Sequence, residues 1–434
     1  MMIKRKLALI SLGCSKNLVD SEFVLGMLLP TFALCTDYDL AEVIIINTCG
    51  FIEAAKKEAI ATILEMAEYK EKGKCQKLIV MGCLAERYLK ELPKELPEVD
   101  LFIPISKYSQ LKTILNDKLD INLTCEFGSK RFLSTVKGTA YLKIADGCDN
   151  NCSYCAIPLI RKKYRSVPKE IVLKEAQSLS EQGVKELVLV AQDTTLYGLD
   201  LYGYLALGDL LSALNTIEGI IWIRVLYMYP DLVNKQLIKL MSELTKVLLY
   251  FDIPLQHANQ RILKLMNRRG SIADFQDNIS YLKSLNKPYA LRTTMMVGFP
   301  GEEENDFKEL LKLVQEQRFF NLGAFIYCPE EDTAAYSFKP SISKTLALKR
   351  YHELLTIQQK IAKENKQELI GTSLEVLVEK KVSSTDYRGR SFYQAPDDID
   401  GEVIIYSKQE LRIGEFYPIK ITKVSAYDLY GEHI

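Results

Sequence analysis

The chain is poor in the groups that run ordinary acid–base catalysis. It has three histidines, His257, His352 and His433, and none stands in a visible nucleophile–base pair. It lacks an excess of either charge, with Lys+Arg and Asp+Glu both 56. That balance argues against gripping nucleic acid mainly through bulk positive charge. No apolar run approaches the roughly 18 residues that span a bilayer, so no membrane association is expected. Ten cysteines in 434 residues are too sparse for a disulfide-stapled secreted scaffold. A reducing cytoplasm is the expected compartment, and some of those thiols should then bind metal. Lys4-Arg5-Lys6, the apolar run to Gly13 and Cys14 imitate a lipoprotein leader. The run is short, however, Ser11 stands where a branched aliphatic is wanted, and Lys16 to Glu22 continues as an amphipathic helix.

What is present is ordinary globular composition, 48% hydrophobic and 26% charged, in a length that suggests about three domains. The expected class is α/β. Residues 1–135 alternate short apolar runs (6–12, 42–47, 77–81) with helical stretches (17–29, 53–71), the pattern of a Rossmann-like parallel sheet. Residues 136–370 hold six further candidate strands, 140–145, 186–191, 220–227, 248–253, 290–297 and 323–327. Helical segments separate them, which suggests a partial (βα)6 TIM-like barrel with its site at the strand carboxyl ends. A connecting helix over 343–369 stops at Gly371, a plausible cap. Residues 371–434 show short alternating runs and read as a small antiparallel OB-like β-barrel.

Cysteine placement carries the chemistry. In the first domain each predicted strand runs straight into a thiol: Ser-Leu-Gly-Cys14, Asn-Thr-Cys49 and Met-Gly-Cys83. Ligands of open parallel sheets bind at the strand carboxyl ends, so three thiols there can converge. In the second, Cys148, Cys152 and Cys155 form C-x₃-C-x₂-C among Asp-Gly and Asn-Asn dipeptides that mark a loop. Structural zinc wants four protein ligands. Three thiolates on a 4Fe–4S cluster leave one iron without a protein ligand, open to a cofactor or substrate. Zinc remains the alternative reading. Cys35, Cys75, Cys125 and Cys328 lack mutual spacing and read as free thiols, and Trp222 as core.

The C-x₃-C-x₂-C loop with Tyr154 before its last cysteine resembles the radical S-adenosylmethionine (SAM) superfamily. That resemblance implies an open iron that chelates SAM and cleaves it after one-electron reduction. It places Tyr154 near the adenine and Gln192, Asp193 and Thr194 near the SAM amino end, in place of the superfamily's usual Gly-Gly-Glu. Arg224, Gln256, Arg292 and Thr294 are expected at the same mouth, with surface ion pairing as the alternative for each arginine. Gly298 and Phe299 would offer backbone hydrogen bonds to the adenine. Cys14, Cys49 and Cys83, the barrel and the terminal β-barrel, in that order, resemble the methylthiotransferases. The family implies a second 4Fe–4S cluster on the first triad, a TRAM-like last domain, and two SAM molecules, one as methyl donor and one as radical source. A flavodoxin- or ferredoxin-type electron donor is implied as partner.

Methylthiotransferases act chiefly on a transfer-RNA adenosine or on an aspartate of a ribosomal protein. The strings Ser11 to Glu22, Gln192 to Gly198, Asp252 to Ala258 and Gly389-Arg390-Ser391 are similar to the aspartate-modifying type, whose substrate is small-subunit ribosomal protein S-twelve at the aspartate β-carbon. Charge gives an independent argument. Residues 371–434 hold eight Lys and Arg against eleven Asp and Glu, where a module built to hold RNA should be basic. An acidic module attracts a basic ribosomal protein, so strong nucleic-acid binding is not expected and that protein is expected to dock partly there. Asp397, Asp398, Asp400 and Glu402 are candidates for the docking face, unless they form a solvated loop. The transfer-RNA enzyme is the alternative.

Overall fold

A computed structural model describes residues 4–339, 342–396 and 399–434. The first sheet is fully parallel, in the order β2-β1-β3-β4-β5. Its strands are β1 Lys6–Ser11, β2 Ala33–Leu34, β3 Val43–Thr48, β4 Lys77–Gly82 and β5 Leu101–Pro104. Residues 43–46 and 78–81 are all buried, as expected of strands covered on both faces by helices. The leader-like run 6–11 is the inner strand β1, and Cys14 caps the helix Ser15–Leu28. The edge strands β2 and β5 escape the apolar pattern because they are short.

The central unit contains β6 Thr139–Lys143, a small ribbon of β7 Ala145–Asp146 with β8 Arg165–Ser166, then β9 Glu186–Val190 and β10 Trp222–Val225. It continues with β11 Tyr250–Asp252, β12 Ala290–Val297 and β13 Asn321–Ile326. The six long-axis strands form two parallel three-stranded sheets, β6-β9-β10 and β11-β12-β13. An isolated parallel bridge between Ile223 and Val247 joins them. The outcome is an open, partial barrel.

The last unit is a closed barrel in the order β14-β15-β16-β18-β17, with β14 Ser373–Lys381, β15 Asp386–Arg390, β16 Val403–Tyr406, β17 Phe416–Val424 and β18 Leu429–His433. The all-antiparallel expectation needs correction, because β16 and β18 are parallel. The β17–β18 hairpin returns the chain beside β16 in the same direction, and this pair closes the OB-type circuit. The small barrel seals the floor of the larger one. Trp222 meets Phe416 with ring centroids 4.5 Å apart, and Tyr141, Val188 and Tyr250 share one core with Val376, Ile405 and Ile421. The acidic docking face also changes. Asp400 is buried and pairs with Arg292 at 3.1 Å, Glu402 pairs with Arg388 at 3.5 Å, and Asp397 and Asp398 lie outside the described residues.

Candidate functional site

Two glycines explain how three adjacent strands deliver three thiols. Gly13 and Gly82 have φ of +90° and +99°, a region that L side chains resist. A Cβ on Gly82 would stand 2.3 Å from Asn47 Oδ1 and 2.6 Å from the Thr48 carbonyl oxygen. The strand ends are tied by amides. Asn17 Nδ2 donates to the carbonyls of Leu12 (2.9 Å) and Thr48 (3.1 Å), and Asn47 Nδ2 donates to the Asn17 carbonyl (2.8 Å). The ends of β1 and β3 are thereby held beside the turn that starts Cys83.

The second thiol loop, 147–164, is pinched at its base by the β7–β8 ribbon. The Cys148 N–H donates to Lys162 O (3.1 Å), and the Ser153 N–H to Met266 O (2.9 Å). Asn150 is fixed by Asp193 Oδ2 at 2.8 Å. Gly147 and Asn151 supply the positive φ that the loop needs.

All six thiols, Cys14, Cys49, Cys83, Cys148, Cys152 and Cys155, line one chamber of about 390 Å³ between the first domain and the barrel mouth. None is in a disulfide. Among the described residues no three ligating side chains crowd to the spacing of a single ion. Thiolates that bind different irons of one cluster have no need to do so. Two buried amide oxygens, Gln192 Oε1 and Gln256 Oε1, line the same chamber without a hydrogen-bond partner. A buried acceptor calls for a partner, which ordered water or a ligand in the chamber can supply. Two soft-donor triads and unmet polar atoms around one cavity fit two 4Fe–4S clusters and SAM.

The electrostatics of the triads differ. Burial pushes Cys83 up to about 11, Cys148 up to about 11 and Cys155 up to about 12, and raises Cys49 as well. Burial also pushes Cys14 up, but the Lys16 ammonium and Arg161 guanidinium outweigh it and hold that thiol below its ordinary value. Both cations escaped the spacing rules, since no motif marks them. Lys16 stands 3.7 Å over the Tyr227 ring. Arg161 donates to Asp146 (2.9 Å), Asn17 (2.5 Å) and Cys83 Sγ (3.6 Å), so it links the two thiol loops. Arg268, also unanticipated, donates to Tyr154 OH (3.1 Å) and Cys152 Sγ (3.6 Å).

Of the remaining candidates, Tyr154, Gln192, Gln256 and Thr294 line the chamber. Asp193 and Thr194 stand behind it. Asp193 anchors Asn150, and Thr194 Oγ1 donates to Leu226 O at 2.8 Å. Gly298 does not offer a free backbone N–H in the manner expected. The Gly298 N–H already donates to Glu302 Oε2 (2.8 Å), and Phe299 is a fully buried ring packed edge-on to Tyr154. Arg224 and Arg292 are at the opposite end. Arg224 pairs with Glu186 at 2.8 Å and donates to Phe392 O, while Arg292 pairs with Asp252 at 2.7 Å and with Asp400. Floor carboxylates draw both arginines away from the mouth.

Residues 6–104 match an uncharacterized protein family, UPF0004, residues 142–314 the Radical SAM superfamily and residues 370–434 the TRAM domain. The ribosomal protein uS12 methylthiotransferase RimO of Clostridium kluyveri is 47% identical, covering 99% of this chain and 98% of its own. RimO of Acetivibrio thermocellus is 46% identical over 100% of this chain and 99% of its own. Among solved structures, the radical SAM methyltransferase TsrM of Kitasatospora setae shares the fold, with a TM-score of 0.56 at 10% identity over 77% of each chain.

Proposed function

The chain belongs to the ribosomal protein uS12 methylthiotransferase (RimO) family, and from that premise we propose that it adds a methylthio group to the β-carbon of an aspartate in uS12. One SAM serves as methyl donor and a second as radical source. The observation that carries this reading is the common chamber, onto which thiol triads from two domains open. A C–H bond at a carbon that no positioned base could usefully deprotonate calls for a radical route.

Cys148, Cys152 and Cys155 would hold one 4Fe–4S cluster, and Cys14, Cys49 and Cys83 the other. When bound, the clusters and SAM would supply one-electron cleavage of SAM and an open iron on which the transferred sulfur group is held. The chain's residues bind, orient and shield. Gln192, Gln256, Thr294 and Tyr154 are the side chains placed to take SAM. Arg268 fixes the Tyr154 hydroxyl, and Lys16 and Arg161 offset negative charge beside the first-domain triad. Apolar walls that include Phe51, Ile157, Met228 and Phe325 limit water at the reacting atoms.

The acidic terminal barrel supports a basic protein over RNA as substrate, with uS12 docking partly on that barrel. Glu375 and Glu432 are exposed there and replace Asp400 in that role. A flavodoxin- or ferredoxin-type protein would deliver the electron. No helix among the described residues is long and apolar enough to cross a membrane.

Mass spectrometry of uS12 from cells with and without this enzyme tests the substrate. An aspartate heavier by one methylthio group, in place of hydrogen, is the expected result, and an unmodified uS12 beside a modified transfer-RNA adenosine would refute it. Cys152→Ala should abolish 5′-deoxyadenosine formation, and persistence would place the radical site elsewhere.

A further inference from the structure

The segment that follows the last barrel strand, residues 327–335, touches the loops of both triads and belongs to neither. We propose that it is a strap that sets the position of the first-domain triad relative to the barrel triad, with Glu330 as its positioning residue. The proposal rests on the methylthiotransferase reading above and adds to it the device that registers the two halves of the site.

At one end the Glu330 side chain, 3% exposed, reaches across the domain boundary. Its Oε1 accepts the Glu53 N–H at 2.7 Å, and its Oε2 accepts from Lys56 Nζ at 3.0 Å and Arg87 Nη1 at 3.1 Å. These donors flank the thiols. Glu53 opens the helix Glu53–Ala67, which follows the Cys49 loop, and Arg87 ends the helix Cys83–Arg87 that Cys83 begins. Arg87 Nη1 also donates to Gly50 O (2.9 Å), directly after Cys49, and its Nη2 to Glu331 O (2.8 Å). At the other end the Ala335 N–H donates to Ser153 O (2.7 Å), between Cys152 and Cys155. The Tyr327 hydroxyl donates to Ala335 O (2.9 Å), and Thr333 Oγ1 to Glu330 O (2.6 Å), which folds the segment on itself. One short run of chain thus holds a residue close to a thiol on each side.

Burial makes this more than a surface ion pair. The Arg87 side chain is 4% exposed, and removing its partner carboxylate would leave a buried charge unmatched. The reaction joins a group held on one side to a carbon activated from the other, and a misplacement of about 1 Å costs on the order of 100-fold.

In full-length protein loaded with both clusters, Glu330→Gln is expected to lower methylthiolated uS12 formed per 5′-deoxyadenosine by about tenfold, with 5′-deoxyadenosine formation within about twofold of the parent. Glu330→Asp, which keeps the charge, should recover part of that ratio. In the same proteins without clusters, amide hydrogen exchange should accelerate in residues 50–57 and 83–88 of Glu330→Gln and stay unchanged in residues 186–190. A product ratio within about twofold of the parent's overturns the strap. So does a parallel fall of both products, which would mark a general loss of folding. If the parent cleaves SAM yet leaves uS12 unmodified, the substrate reading fails instead, and the exchange comparison still decides on Glu330.

Discussion

The Arg161 guanidinium is 2% exposed and sits between Asp146 of the barrel and Asp20 of the first domain. A buried cation with two carboxylates offsets its own desolvation, and deleting it leaves Lys143, which pairs with Asp20 and Asp146 (3.4 Å), as the one cation among the described residues for both anions. Arg161→Met should destabilise the protein by about 3 kcal/mol, measured by urea unfolding; a loss too small to resolve would mean that Lys143 suffices for the two aspartates. Lys366 gives a pH signature. It is 1% exposed, over the Phe320 ring, and burial lowers its pKa from 10.5 to about 8. The folded state therefore binds this proton more weakly than the unfolded state, and between pH 8 and 10.5 the unfolded chain carries more protons. The cost of burying the charged amine is present in full below pH 8 and fades as pH rises toward 10.5. Lys366→Met should accordingly raise Tm at pH 7, with the difference shrinking as pH is raised toward 10.5. A pH-independent difference would refute charge as its cause. Neither residue was legible from the sequence, because an isolated Arg or Lys reads as a solvated surface group until packing encloses it.

At the scale of elements, the strands and the thiol loops were the readable part. Runs such as Val43–Ile46 and Leu78–Met81 are buried on both faces and so are uniformly apolar in sequence. A cysteine directly after each strand could be placed at the carboxyl edge by chain connectivity alone. What connectivity does not carry is direction at the far end of a long side chain, which is why Arg224 and Arg292 were expected at the mouth and lie on the floor. The turn at Gly82 makes its own prediction. Gly82→Ala would force a Cβ against Asn47 and Thr48 at positive φ, a strain of about 1–3 kcal/mol, at the residue that aims Cys83. Anaerobically reconstituted parent protein should hold eight irons per chain, two 4Fe–4S clusters' worth, and this variant about four. Eight irons in the variant would show that the turn tolerates the change.

For the whole molecule, the floor contact decides whether the barrel and the terminal unit behave as one. Glu186 is fully buried between Arg224 of the barrel and Arg390 of the terminal unit, which also reaches Thr139 at 3.1 Å. The two guanidinium groups more than offset burial and hold the carboxyl down at about 2. Glu186→Gln leaves Arg224 facing a neutral amide, while Arg390 keeps Glu379 at 2.7 Å, and should cost about 3 kcal/mol. The loss should show as earlier proteolysis near residues 370–372, between the long helix Lys344–Gln367 and β14; cleavage at the parental rate would show that apolar packing around Trp222 and Phe416 suffices. By itself, the sequence determined the order of the three units, the strands of the first two and the identity of both thiol triads, because hydrophobic period and local turn chemistry are written in neighbouring residues. Only the tertiary structure decided that the triads share one chamber, that Arg161 and Glu330 bridge the domains, and that the last barrel plugs the floor. Those outcomes depend on contacts between residues far apart in the chain, whose partners are chosen by packing and by the cost of burying an unmatched charge.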